Sequence, residues 1–216
     1  MLPEQKPALL ALLGVFTLVL AWSAVYPHDY FTWGLEILPA LLALTVLAYS
    51  YRKFQFTTFV YVLITIHACI LFVGGHYTYA EVPLFNWIRD HFHLLRNDYD
   101  RVGHFAQGFV PALIARELFV RRKIVLRRGW LFYIVVSICL AISAAYELFE
   151  WRVSVATGTA ADAFLGTQGD PWDTQEDMAT ALCGAILALV LFSRWHDRLI
   201  EKFERRLSGA GAKSEV

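Results

Sequence analysis

Asp100 and His104 stand four residues apart in NDYDRVGHFAQG, Glu147 and Glu150 three apart in YELFEW, and Asp173 and Asp177 four apart in DPWDTQEDM. On a helix each of these pairs shares one face. Carboxylates with an imidazole among them form an oxygen-rich ligand set that suits a divalent ion such as Mg, Mn, Fe or Zn. The same groups can transfer protons or activate water. The expected metal ligands are Asp100, His104, Glu147, Asp173 and Asp177, with His76 of GGHYTYAE as a sixth. Glu147, Asp177 and His104 are the candidates for catalysis, and Arg101, Gln107, Gln168 and Trp172 for holding a substrate. A divalent cation is the cofactor this set implies. The spacing matches no established signature, for there is neither an HExxH nor a paired ExxH.

Most of these residues also have a plainer role. Asp98 and Asp170 are placed to cap helices, the second with Pro171 as first helical residue. Glu150 and Arg152 can pair at a helix end, and His76 can sit at a membrane interface. Glu36 and His67 stand alone in apolar runs, where they satisfy hydrogen bonds between helices. Arg116 and Glu117 pair or snorkel at the far end of their run. Glu147 is harder to dismiss, because it ends a wholly apolar helix, where ionisable groups are functional candidates by default.

What must position these groups is a membrane bundle. The chain of 216 residues is 57% hydrophobic, and six apolar segments approach the length that spans a bilayer. They cover residues 7–26, 31–50, 56–74, 103–120, 130–149 and 178–192. In lipid a backbone must satisfy its own hydrogen bonds, so each is expected to be a helix. The first is too long, and its end too bulky, for a cleaved secretory leader. Cys69, Cys139 and Cys183 are isolated inside apolar runs and form no disulfide or zinc framework.

Basic residues orient the bundle. Lys6, the Arg52–Lys53 turn, RRKIVLRR at 121–128, and Arg194 to Arg206 all fall on one side of six spans. The positive-inside rule makes that side cytoplasmic, with both termini. The acid and histidine motifs then all lie at the opposite, outer interface. Ala181, Gly184 and Ala188 form a small-residue stripe below Asp177, which lets another helix approach closely. The expected fold is an all-α, polytopic membrane protein with one helical domain over residues 1–207 and a disordered tail over 208–216. Membrane lipid is the expected partner. A net charge of zero gives no sign of nucleic acid, and the oligomeric state stays open.

HYTYAEVPL, NDYDRVGHFAQGFVPALIARE, ISAAYELFEW and ADAFLGTQGDPWDTQEDM resemble the YjdF family of bacterial inner-membrane proteins. The resemblance implies architecture and location but no activity. More distantly, the order of acids and histidine along the last spans is similar to VanZ-type membrane proteins, although the long GTQGD loop departs from them. Three functions stay open. The cluster is a metal-dependent site acting on lipid or a lipid-linked substrate, or a structural and lipid-binding accessory without catalysis, or part of a small transporter or proton relay.

Overall fold

The computed structural model describes residues 5–158 and 162–212. The chain runs through α1 (Gln5–Ser23), α2 (Tyr30–Ser50), α3 (Thr58–Tyr77), α4 (Pro83–Phe92), α5 (Tyr99–Arg121), α6 (Arg128–Thr157), α7 (Asp162–Leu165) and α8 (Asp173–Ala212). No strand interrupts it among the described residues. α1, α2, α3, α6 and α8 are each long and apolar enough to cross a membrane. α5, the fourth expected span, is long enough at 23 residues, or roughly 34 Å at 1.5 Å per residue. It carries Asp100, Arg101 and His104 near one end and Arg116, Glu117 and Arg121 near the other. Such a helix is costly against lipid. It packs instead at the centre, against α3, α6 and above all α8.

The α5–α8 contact is close because both helices lack side chains where they cross. A Cβ on Gly108 would lie 1.7 Å from the Ala181 carbonyl oxygen, and one on Gly184 would lie 2.2 Å from that of Phe105. Ala181, Ala185 and Ala188 are fully buried along the same face. Below the crossing, Leu113, Val135, Cys139 and Leu189 close an apolar core shared by α5, α6 and α8.

Several boundaries differ from the sequence expectation. α8 begins at Asp173, not Pro171, and residues 208–212 continue it as helix. Residues 213–216 of the expected tail lie outside the described residues. Asp170 still acts as a local cap, since its Oδ1 accepts from the Trp172 amide at 2.9 Å, but it shapes the turn before the helix. Asp98 occupies the N-cap position of α5 without a side-chain bond to the helix. Its neighbour Asn97 does that work, with Oδ1 accepting from the Tyr99 amide at 3.1 Å. The stretch between the third and fourth expected spans, residues 75–102, contains α4, which starts on Pro83 and leaves Leu84, Trp87 and Phe92 exposed. An amphipathic helix of this kind suits a membrane interface.

α2 is capped by Asp29, whose Oδ2 accepts from the Thr32 amide at 2.6 Å. It packs on α3. Between α2 and the pair α5 and α6 lies a cavity of about 1210 Å³, lined by residues of α1, α2, α3, α5 and α6.

Candidate functional site

The polar cluster is assembled at the α5 N-terminal end. Arg96 and Asn97, just before that helix, hold the chain in place. The Asn97 side chain is fully buried. Its Nδ2 donates to the Val82 carbonyl at 3.1 Å and to Asn86 Oδ1 at 2.8 Å. Its backbone amide donates to Gln168 Oε1 and its carbonyl accepts from Gln168 Nε2, both at 2.9 Å. Gln168 therefore ties the loop before α8 to the start of α5, and the structure places it outside the group of carboxylates. Trp172 is exposed on the same loop.

Two arginines face the α8 acids. Arg101 donates to Asp177 Oδ1, and to Glu176 at 2.7 Å, and reaches Asp173 at 3.3 Å. Arg96 donates to Asp173 and comes within 3.4 Å of Asp170 and 3.7 Å of Asp100. Arg96 was missed as a site residue because it precedes its helix, 77 residues from its main partner. No spacing rule relates such positions. Arg152, the other positive group near these acids in sequence, lies over the exposed Trp151 ring.

His104 sits at the centre of the cluster, buried at 5% exposure. Its Nδ1 is 3.1 Å from Gln107 Oε1. Its Nε2 is 3.4 Å from Asp100 Oδ1 and 3.7 Å from Asp177 Oδ1. Glu147, one turn above the buried Ser143 on the inward face of α6, brings Oε1 to 3.8 Å from His104 Nδ1. That Glu147 oxygen is buried with no hydrogen-bond partner. Asp100, His104 and Asp177 each offer a ligand atom within 4.8 Å of the other two. Of the expected ligands, the structure thus brings Asp100, His104, Asp177 and Glu147 together, with Asp173 held alongside by the arginines.

His76 belongs elsewhere. Its Nδ1 is 3.1 Å from the Ser23 carbonyl and its ring lies 4.6 Å from that of Trp22, so it joins α3 to α1. Glu36 and His67, alone in their apolar runs, line the same cavity as Asp100, His104, Gln107, Tyr146 and Glu150. Glu36 makes the expected bond between helices, its Oε2 accepting from the Tyr146 hydroxyl at 3.2 Å, whereas His67 Nε2 is buried without a hydrogen-bond partner. Their signal was only the cost of an ionisable group in an apolar run; which neighbour absorbs that cost is a tertiary matter.

A second polar group lies at the other end of α5. Glu117, fully buried, accepts from the Thr57 amide at 2.8 Å and hydroxyl at 2.7 Å, from Arg121 at 3.0 Å, and has His196 Nε2 at 3.0 Å. Arg116 pairs with Asp197. The Glu117–Arg121 spacing of four was visible in the sequence, but His196 follows the last apolar run and carried no signal.

Long apolar helices around a charged central helix, with acids and a histidine gathered at one of its ends, define a polytopic α-helical membrane protein. The chain belongs to the family described as "Predicted membrane protein (DUF2238)", which matches residues 8–198. It is 46% identical over 187 residues to the inner membrane protein YjdF of Escherichia coli (strain K12), covering 87% of this chain and 90% of that one. It is a multi-pass protein of the inner membrane. No solved structure matches it. The likeness to VanZ-type proteins is shown by none of these matches.

Proposed function

We propose that the protein binds a lipid or lipid-linked molecule in the cavity between α2 and α5–α6, with the headgroup at Asp100 and His104. The shape and lining of that cavity carry the reading. At about 1210 Å³ it exceeds the roughly 300–1,000 Å³ of ordinary small-molecule pockets. Leucines, alanines and other apolar residues line most of it, while Glu36, Asp100, His104, Gln107, Tyr146 and Glu150 converge in one region. Lys6 is its one lining Lys or Arg among the described residues. It follows Gln5, whose side chain bonds the Phe56 carbonyl near the Glu117 end. An amphiphile fits such a gradient, with its chain along the apolar wall and its polar head among groups that can accept and donate hydrogen bonds.

The same geometry supports chemistry on that head, with His104, which lines the cavity, moving a proton. It equally supports a scaffold, since Arg96 and Arg101 already bind Asp173 and Asp177. Ala145 lines the cavity and is exposed, so Ala145→Trp puts an indole into it without disturbing a packed core. Lipid extracted from the purified wild-type protein and analysed by mass spectrometry is expected to contain a stoichiometric species that Ala145→Trp lacks, at an unchanged thermal midpoint. Equal lipid content in both proteins would refute the reading. We further propose that the Asp100 end faces the periplasm, on the strength of the basic residues at 52–53, 121–128 and 194–206. A reporter fused after Val216 should then be active only if it works in the cytoplasm.

A further inference from the structure

We propose that Asp100, His104 and Asp177 form a site for one divalent cation, oriented by Gln107 and balanced by Glu147. With Gln107 Oε1 at 3.1 Å placed to accept from Nδ1–H, Nε2 faces two carboxylates. That arrangement calls for a positive charge between Nε2 and the carboxylates, which either a proton or a bound cation supplies. The separations of 3.4 Å to Asp100 and 3.7 Å to Asp177 exceed the 2.7–3.2 Å of a good N–H···O bond. Ligand atoms about 2.1 Å from a shared ion are themselves about 3.0–3.4 Å apart in tetrahedral or octahedral geometry, so a contraction of the three atoms, now within 4.8 Å of one another, would seat one ion with further positions open to water. A histidine ligand whose other nitrogen donates to a side-chain oxygen is the usual way such a ring is fixed.

Charge supplies the second, independent observation. Asp100, Glu147, Glu150, Asp173 and Asp177 are packed together with Arg96 and Arg101 as the arginines facing them. Both arginines make their shortest contacts to the α8 acids, Arg96 reaching Asp100 only at 3.7 Å. Glu147, 6% exposed, keeps Oε1 buried with no donor at all. Buried carboxylates in such excess are relieved either by protonation or by a cation, and the ligand geometry above favours the cation at Asp100, His104 and Asp177. Asp177 Oδ1 is also the acceptor of Arg101, but that guanidinium already reaches Glu176 at 2.7 Å and Asp173 at 3.3 Å, so it stays paired when Asp177 turns to an ion. One imidazole among carboxylates favours Mn(II), Fe(II) or Zn(II) over a soft ion such as Cu(I).

The inference does not depend on what fills the cavity. Detergent-purified protein, stripped with EDTA, would be titrated with Mn(II) and with Zn(II) by calorimetry. The expected result is saturable binding of one ion per chain. Asp177→Asn and His104→Ala should abolish it, and Gln107→Leu should weaken it by about 10–100-fold. The wild-type thermal midpoint should fall on stripping and return with the metal, a readout that needs no variant to fold. No saturable binding of either metal by the wild type, or binding unchanged in a folded His104→Ala protein, would overturn the proposal. Because lipid content is read separately, loss of metal binding leaves the cavity reading standing, and the converse also holds.

Discussion

The two ends of α5 carry similar residues in opposite conditions. At the Glu117 end a single buried carboxylate meets Thr57, Arg121 and His196, and both its oxygens have partners within 3.0 Å. At the Asp100 end the acids outnumber their donors, His104 lies beyond good hydrogen-bond reach of two carboxylates, and Glu147 Oε1 has no partner. A saturated carboxylate is a structural tie, for its bonds are complete and nothing is left to offer a ligand. An unsaturated one is held in place by the fold at a cost, and such costs collect where a ligand acts. The two regions teach that an ionisable residue in a membrane helix is not informative by type alone. Among these carboxylates the count of satisfied lone pairs separates a tie from a site, although His196 Nδ1 beside Glu117 is itself buried without a partner.

The largest expected effect breaks the tie. Glu117→Ala leaves the buried Thr57 amide and hydroxyl and His196 Nε2 without their partner, and Arg121 with Glu204 as its remaining carboxylate. That should cost about 1–3 kcal/mol per stranded group and lower the thermal midpoint in detergent sharply. Glu147→Gln at the other end should leave the midpoint unchanged or raise it, because it removes a carboxylate from a repelling group. If the two substitutions lower the midpoint equally, the distinction between the ends fails.

A second effect tests the helix contact that brings α8 to both regions. Gly108→Ala puts a methyl group 1.7 Å from the Ala181 carbonyl oxygen, and overpacking of this kind costs about 1–3 kcal/mol. Gly34→Ala, with nothing within 4 Å of the new Cβ, should be neutral or stabilise by about 0.5–1 kcal/mol as a helix-interior change. The pair, compared by thermal unfolding, separates close approach from simple helix propensity.

The smallest effect sharpens the account of how α5 begins. Asp98→Ala should change stability by less than about 0.5 kcal/mol, since Asp98 makes no cap bond. Asn97→Ala should cost about 1–3 kcal/mol, because it strands the buried partners that Asn97 satisfies. Equal losses at both positions would restore Asp98 as the cap.

Much of the architecture was legible because its causes are local. An apolar run of sufficient length must be a helix in lipid wherever it occurs, and α1, α2, α3, α6 and α8 follow from that alone. The pairs Asp100–His104 and Asp173–Asp177 follow from helical periodicity, and the approach of α5 to α8 from glycine and alanine at Gly108, Ala181, Gly184 and Ala188. Boundaries were less legible. The start of α8 at Asp173 and the cap from Asn97 depend on contacts with other segments, namely Arg96 on Asp173 and Val82 on Asn97.

By itself the sequence determined the helical class, the membrane setting and the set of residues from which a site could be drawn. Only the tertiary structure decided their division: His76 and Gln168 to helix and loop ties, Glu36 and His67 to a shared cavity, His196 to Glu117, and His104 to the space between Asp100 and Asp177. The physical reason is that periodicity acts over one or two turns of helix, whereas the partners of a buried charge are chosen by packing between segments. Arg96 and Asp173 are 77 residues apart, and only the folded bundle sets one against the other.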